Sequence, residues 1–496
     1  MGAVFANTPI VADCIIHTLH PGGIVRESTR ALGIDNMHSA STEILLGDRD
    51  AFDGRHPNHR FWTALVGLIL LCVLLRLAMI LIYPAVEFPD TGGYRLLAQQ
   101  LTNLNFSGYE GFRTPVYPLL LAVCGLNWDL VRFVQFLFGV SISAMLFILS
   151  YWRTNSVIPA FLVGASYSLS LNELFFESSI LTESSCTFFL LVSLILLARL
   201  DLRKTRRTPK NYTLLGTIAS ITVLCRPIFI YLPPVYFGFL AFNEGTRSTR
   251  LVERWRLAYF AAPPIVLLLG WCMVNQLALG YFGLNTRTGY NLTNLSGTFM
   301  ELAPAKYSRI RDIYLEFRTS MGTTEDTIWK AEEQMRPDLK LSPLQLSEQL
   351  SAMSVEMFAE HPLLYARAVA KSFAEFWGPA MYRHPQNFRS RSALDVVTRI
   401  WDREIVMIRA VNLGFLMISV FMIFEVASGR ETSPIDLCVI AIVLGSALVA
   451  SMTEYAHNQI YSAPVQPLMT YLVVVFLWQK LVRFGFPGKR SAIEKA

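Results

Sequence analysis

Residues 61–83 read FWTALVGLILLCVLLRLAMILIY, a run with one charge, Arg76. At 1.5 Å per residue a helix of this length covers about 34 Å, enough to cross about 30 Å of hydrocarbon. The rest of the chain agrees with that reading. It has 496 residues, 53% hydrophobic and 16% charged, against roughly 25% charged for an average soluble domain. Its mean hydropathy is +0.40. This balance excludes an ordinary cytosolic enzyme and a disordered scaffold, and makes the bilayer the solvent for the apolar surface. The net charge of +6 does not point to nucleic acid, because the basic residues fall in short clusters between apolar runs, as positive-inside topology requires. The seven cysteines (Cys14, Cys72, Cys124, Cys186, Cys225, Cys272 and Cys438) lie mostly in or beside apolar segments without a CxxC or a His-spaced pair. Neither a disulfide framework nor a zinc site is expected.

Residues 1–60 are polar and read as a flexible cytosolic leader without a signal-peptide pattern. After the first span, residues 84–130 form a loop broken by Pro89, Gly92, Gly93, Gly108, Gly111, Pro115 and Pro118. Tyr94, Leu97, Ala98 and Leu101 recur there at helical spacing, predicting a short interfacial helix, and a second apolar one runs over 115–126. Further spans are expected at 131–152, 156–172, 184–200, 213–225, 228–243, 257–279, 405–426, 434–453 and 464–482, about ten in all. The chain thus reads as an all-α polytopic membrane protein.

Basic clusters around Arg199–Lys210, Arg247–Arg256 and Lys480–Lys495 then share one side with Arg153, which makes that side cytosolic, with both termini inside. The expected organisation is an N-terminal transmembrane catalytic module (61–279), a mainly helical outer domain (280–404), C-terminal spans (405–482) and a basic cytosolic tail (483–496). Within the outer domain, 344–378 has helical periodicity with a corner at Pro362.

Several segments carry a resemblance when taken in order. These are FPDTGGYRLLAQQL (88–101), GYEGFRTPVYPLLLAVCG (108–125), VRFVQFLFGV (131–140), ILTESSCTFFLL (180–191), LCRPIFIYLPP (224–234), WCMVNQLALGYFGLNTRTGYNL (271–292) and IYSAPVQPLM (460–469). The series resembles the GT-C superfamily of integral-membrane glycosyltransferases, specifically the bacterial branch related to protein O-mannosyltransferases and aminoarabinose transferases. In that pattern an acid in the first outer loop precedes a Tyr-bearing juxtamembrane helix and an Arg-x-Pro-x-x-Pro segment, here Asp90, Tyr94, Arg113, Pro115 and Pro118. The chain departs from it at Thr91, where a second acid is usual, and at Val274 and Ile460, where Arg is frequent. The resemblance implies a GT-C fold with juxtamembrane helices in the first outer loop, and inverting transfer of a sugar from a polyprenyl-phosphate donor. The acceptor would be a lipid, glycan or protein at the outer, periplasmic face of the cell membrane. It also implies that Arg226 stands where the family binds phosphate with Lys.

The residues support that chemistry in their own right. Such a transfer needs a base for the incoming hydroxyl and positive charge for the departing phosphate. Asp90 is the candidate base, and a helix N-cap is the plainer alternative. Arg76, within the first span, together with Arg113 and Arg226, are candidate phosphate ligands, unless they pair with nearby acids or snorkel to headgroups. Glu173, Glu177 and Glu183 are placed in an outer turn, either solvated or holding a divalent cation beside Asp90; no other metal site is expected, and no further cofactor is indicated. Tyr94, Glu183, Asn275, Asn291, His457 and Tyr461 are candidate substrate contacts. The chain has no P-loop, GxSxG, HExxH or Rossmann fingerprint. The competing readings are a secondary transporter or lipid flippase, for which no inverted repeat is found, and a polysaccharide polymerase or ligase.

Overall fold

The computed structural model describes residues 58–201, 207–247, 251–455 and 458–483. The leader up to residue 57, Cys14, His457 and most of the basic tail lie outside the described residues. The described chain is helical, with a single isolated β-bridge between Val86 and Ser179.

The first half comprises α1 (His59–Ile82), α2 (Thr91–Asn103), α3 (Val116–Val123), α4 (Trp128–Thr154), α5 (Val157–Leu169), α6 (Leu171–Ser178), α7 (Glu183–Asp201), α8 (Pro209–Cys225), α9 (Leu232–Arg247) and α10 (Leu251–Leu279). Next come α11 (Thr288–Ser296), α12 (Ser308–Met321), α13 (Thr327–Leu339), α14 (Pro343–Glu360) and α15 (Pro362–Phe376), and then α16 (Arg391–Ala427), α17 (Pro434–Thr453), α18 (Asn458–Ser462) and α19 (Gln466–Arg483).

Seven stretches among the described residues are long and apolar enough to cross a membrane, and an eighth is the pair α5 and α6, bent by 52°. The expectation of about ten is therefore not met by length and composition. The 17-residue α8 and the apolar stretch Pro227–Phe242 are shorter than the roughly 20 residues typical of a span across a 30 Å core. Arg226, in extended conformation, separates them, and a 3-10 turn over Pro227–Tyr231 opens the second. On α1, Leu70, Leu74 and Leu81 are exposed, a surface that suits lipid rather than water.

Local sequence explains the helix ends. Asn58 accepts from Phe61 N and Asn127 from Asp129 N and Leu130 N, each satisfying an orphan donor at a helix start. Ser342 and Gln345 form a reciprocal capping box with Pro343 at the first helical position of α14. The corner between α14 and α15 falls at Pro362, as the periodicity indicates. Helices α11 to α14 enclose a core of their own around Tyr290, Ile313, Tyr314, Met335, Leu350 and Met353. The expected boundary at 404/405 is not a break, because α16 runs through it.

Helix α4 packs against α5 and α7, and a buried ion pair lies at its middle. Arg76 Nη2 meets Glu177 Oε1 at 2.6 Å, with both side chains almost fully buried. A Cβ at Gly139 of α4 would collide with both groups, so the pair depends on glycine there. Glu173 and Glu177 are thus not in a solvated turn. They belong to the buried helix α6, because the chain continues helically past its bend instead of opening to water.

Candidate active site

The segment leading to Asp90 is pinned before it reaches the site. Val86 N donates to Ser178 O at 3.0 Å and Ile180 N donates to Val86 O at 2.9 Å. Thr91 Oγ1 accepts from Phe88 N at 2.9 Å and donates to Ile180 O at 3.0 Å. Asp90 therefore has a fixed backbone at the head of α2, yet its side chain makes no capping bond. Its carboxylate turns to Arg113, whose Nη2 lies 2.6 Å from Oδ1, and to Arg287, whose Nη2 lies 3.7 Å from the same oxygen.

Each guanidinium has its own support. Arg113 lies over the Tyr94 ring at 4.4 Å and donates to the Tyr94 hydroxyl at 3.3 Å, while a Cβ at Gly93 would come within 2.9 Å of Arg113 Nε. Arg287 lies over Trp329 of α13 at 4.4 Å. It is brought there by its neighbour Thr286, whose N–H donates to Gly111 O at 3.0 Å and whose hydroxyl donates to Glu110 O at 2.7 Å. Arg226 ends α8 ahead of Pro227. It donates to Glu183 Oε1 at 2.9 Å and lies over the Tyr461 ring at 5.0 Å.

These groups share one cavity of about 290 Å³, lined by Asp90, Tyr94, Arg113, Arg226, Arg287 and Tyr461, with Asn291 on the same wall. Burial pushes the Asp90 carboxyl up, but Arg113 and then Arg287 outweigh it and hold the group well below the usual carboxylate range. Burial raises the Tyr94 phenol despite Arg113, so it stays protonated. The cavity is therefore a cationic hollow with one carboxylate inside it, suited to an anion. A divalent cation does not fit beside Asp90, whose neighbours are guanidiniums. Among the described residues, no three His, Cys, Asp or Glu side chains converge as metal ligands.

The other sequence candidates fall elsewhere. Arg76 does not line the cavity; it is held by Glu177, Ser168 Oγ at 2.9 Å and Cys72 O at 3.0 Å. Asn275 is fully buried, accepting from Tyr109 OH at 2.7 Å and donating to Gly283 O at 2.6 Å, which ties α10 to the two loops above it. Glu183 is engaged by Arg226. His457 lies outside the described residues. Sequence reasoning missed Arg287 and Trp329. A signal for Arg287 was present, since it is the one charge in residues 271–292.

No family model matches this chain, and no curated protein matches it. Among solved structures, it is similar to the archaeal oligosaccharyltransferase AglB from Archaeoglobus fulgidus in complex with an inhibitory peptide and a dolichol-phosphate. That similarity has 12% identity and a TM-score of 0.46, covering 88% of this chain and 53% of that one. An A. fulgidus oligosaccharyltransferase complex with Zn and sulfate gives 12% identity and a TM-score of 0.44, covering 84% and 49%. The form tethered to an acceptor peptide containing the NVT sequon gives 12% and 0.45, covering 86% and 51%. The chain spans about half the length of these structures.

Proposed function

We propose that the protein is a multi-pass membrane glycosyltransferase of GT-C type that moves a sugar, with inversion, from a polyprenyl-phosphate donor to a lipid, glycan or protein acceptor at the periplasmic side. The observation that carries this reading is Asp90, lodged between Arg113 and Arg287 in a cavity whose third cation is Arg226. The ordered motifs from Asp90 to Tyr461 support the same class, and the basic clusters in the short loops support a cytosolic position for both termini.

In this reading the acceptor hydroxyl gives its proton to Asp90 while its oxygen attacks the anomeric carbon. The bond from that carbon to the phosphate oxygen breaks with its electron pair, and polyprenyl phosphate leaves with one more negative charge than the donor carried. Arg113, Arg226 and Arg287 stabilise that added charge. Attack opposite the leaving group inverts the anomeric centre.

The resting carboxylate is a weak base, because two guanidiniums already stabilise its charge. A donor phosphate competes for those guanidiniums and draws them from Asp90, which restores its basicity when donor is bound. The charge balance favours a monophosphate link. Asp90 offsets Arg113 and Glu183 offsets Arg226, leaving Arg287 to match the single charge of a phosphodiester.

The test is Asp90→Asn in the purified full chain, incubated with labelled polyprenyl-phosphate sugar and candidate acceptors. Acceptor-dependent release of polyprenyl phosphate should fall by roughly 10²-fold or more, as expected on loss of a general base, with folding unchanged. Full activity in that variant would sink the assignment.

A further inference from the structure

A cavity of about 990 Å³ lies away from Asp90, between α5, α16 and α19. On α16 its wall includes Val396, Arg399, Ile400, Arg403, Glu404 and Met407, which fall on one helix face. At 37 residues, α16 is about 55 Å long, well beyond the hydrocarbon thickness. Its charged first part must therefore project past the apolar zone. The apolar run starts after Glu404, which places Arg403 at the boundary and Arg399 one turn above it. This is the end of the bundle that carries Asp90, because Arg389 N donates to Ile82 O at 3.0 Å and His384 N to Tyr83 OH at 2.9 Å.

A second cavity of about 630 Å³ adjoins the first and shares Arg399 with it; Arg383 and Asp395 also line it. Arg383 donates to Thr398 Oγ1 at 3.1 Å, but its buried Nη1 has no partner. Among the described residues, the Arg399 side chain has one hydrogen bond, to the backbone oxygen of Asp395 at 3.3 Å. Among the described residues no ion pair engages Arg399, Arg403 or the Asp395 carboxylate. Glu404 is occupied by Ser170 Oγ at 2.8 Å and Leu171 N at 3.0 Å. The head of the groove thus offers guanidiniums with no ion-pair partner beside the Asp395 carboxylate, above a long, mainly apolar trough whose wall also carries the buried Glu173, its Oε1 unpartnered.

We propose that this paired groove is a binding site for a zwitterionic aminophospholipid of the surrounding bilayer. Its phosphate sits on Arg383, Arg399 and Arg403, its primary ammonium on Asp395, and an acyl chain in the apolar trough. Guanidinium forks match phosphate oxygens, and an ammonium supplies the donors that Asp395 lacks. A purely anionic head would leave that carboxylate facing a like charge. The site is independent of the transfer reading, since it uses none of the residues around Asp90.

The experiment is native mass spectrometry and thermal melting of the delipidated full chain, re-supplied with phosphatidylethanolamine, phosphatidylglycerol or phosphatidylcholine. One equivalent of phosphatidylethanolamine should be retained, with roughly fivefold preference over phosphatidylglycerol, the scale of one interfacial charge contact. Asp395→Asn should erase the preference without abolishing retention. The double variant Arg399→Gln/Arg403→Gln should lose retention of both lipids by more than tenfold, whereas Asp90→Asn should retain phosphatidylethanolamine as the wild type does. Equal retention of the three lipids, unchanged retention in the double arginine variant, or displacement of the lipid by one equivalent of polyprenyl phosphate would overturn the proposal.

Discussion

Replacing Glu177 by Gln tests whether Arg76 is a fixture of the bundle or a ligand of the donor. The two side chains are 3% and 0% exposed and their charged atoms are 2.6 Å apart. At an effective dielectric near 20, their attraction is about 6 kcal/mol, while each ion loses several kcal/mol of hydration when buried. The two terms nearly cancel for the intact pair, but not when one partner is removed. Glu177→Gln leaves a buried guanidinium with neutral acceptors only and should destabilise the fold by about 3–5 kcal/mol. The double variant Arg76→Met/Glu177→Gln removes both the charge and its counter-charge and should recover most of that loss. Denaturant unfolding of the detergent-solubilised protein gives the three stabilities, and the transfer assay is run on the double variant. A single variant within about 1 kcal/mol of wild type would refute the energetics. A folded double variant without transfer activity would refute the structural assignment and return Arg76 to the donor phosphate.

Gly139→Ala should cost about 2–3 kcal/mol, the upper range for overpacking, because the methyl meets the ion pair itself; in the Arg76→Met/Glu177→Gln background the same change should cost less. Arg113→Gln removes the largest attraction on the Asp90 carboxyl. A carboxyl held below its unfolded value near 3.9 adds stability at neutral pH that is lost as pH falls below about 4, so the variant should melt lower at pH 7 and show a flatter acid limb in melting temperature against pH. Trp329→Ala removes the surface under Arg287, an interaction of about 0.5–2 kcal/mol; initial rates should show the donor KM rising with kcat changed less, and an unchanged KM would count against Arg287 as a donor ligand.

The long apolar runs were legible because their signal is local: hydrophobicity over about 20 residues needs no knowledge of neighbours. The short helices α8 and α9 account for the difference from the expected ten spans, since an apolar run broken by Pro227 looks like two spans whether or not either half is long enough. The acids of α6 were misread for a related reason. Nothing local distinguishes a solvated turn from a bent, buried helix, and the reason that Glu177 is inside is Arg76, 101 residues away.

The site divides along the same line. Asp90, Arg113 and Arg226 were legible as charges left over once topology had explained the others, and they do share one cavity. Arg76 met the same criterion and lies elsewhere, because a charge in a span shows that a partner exists without showing which one. Arg287 stands alone as a charge in residues 271–292, but it is one of many cations in the long segment after α10, and what places it at the cavity is tertiary. Thr286 clasps the backbone at Glu110 and Gly111, and Trp329 of α13 backs the guanidinium. The cavity is thus completed by a residue that depends on the packing of helices after α10. That packing ties the segment after α10 to Asp90 through Arg287, whose guanidinium rests on Trp329 at 4.4 Å and lies 3.7 Å from the Asp90 carboxylate.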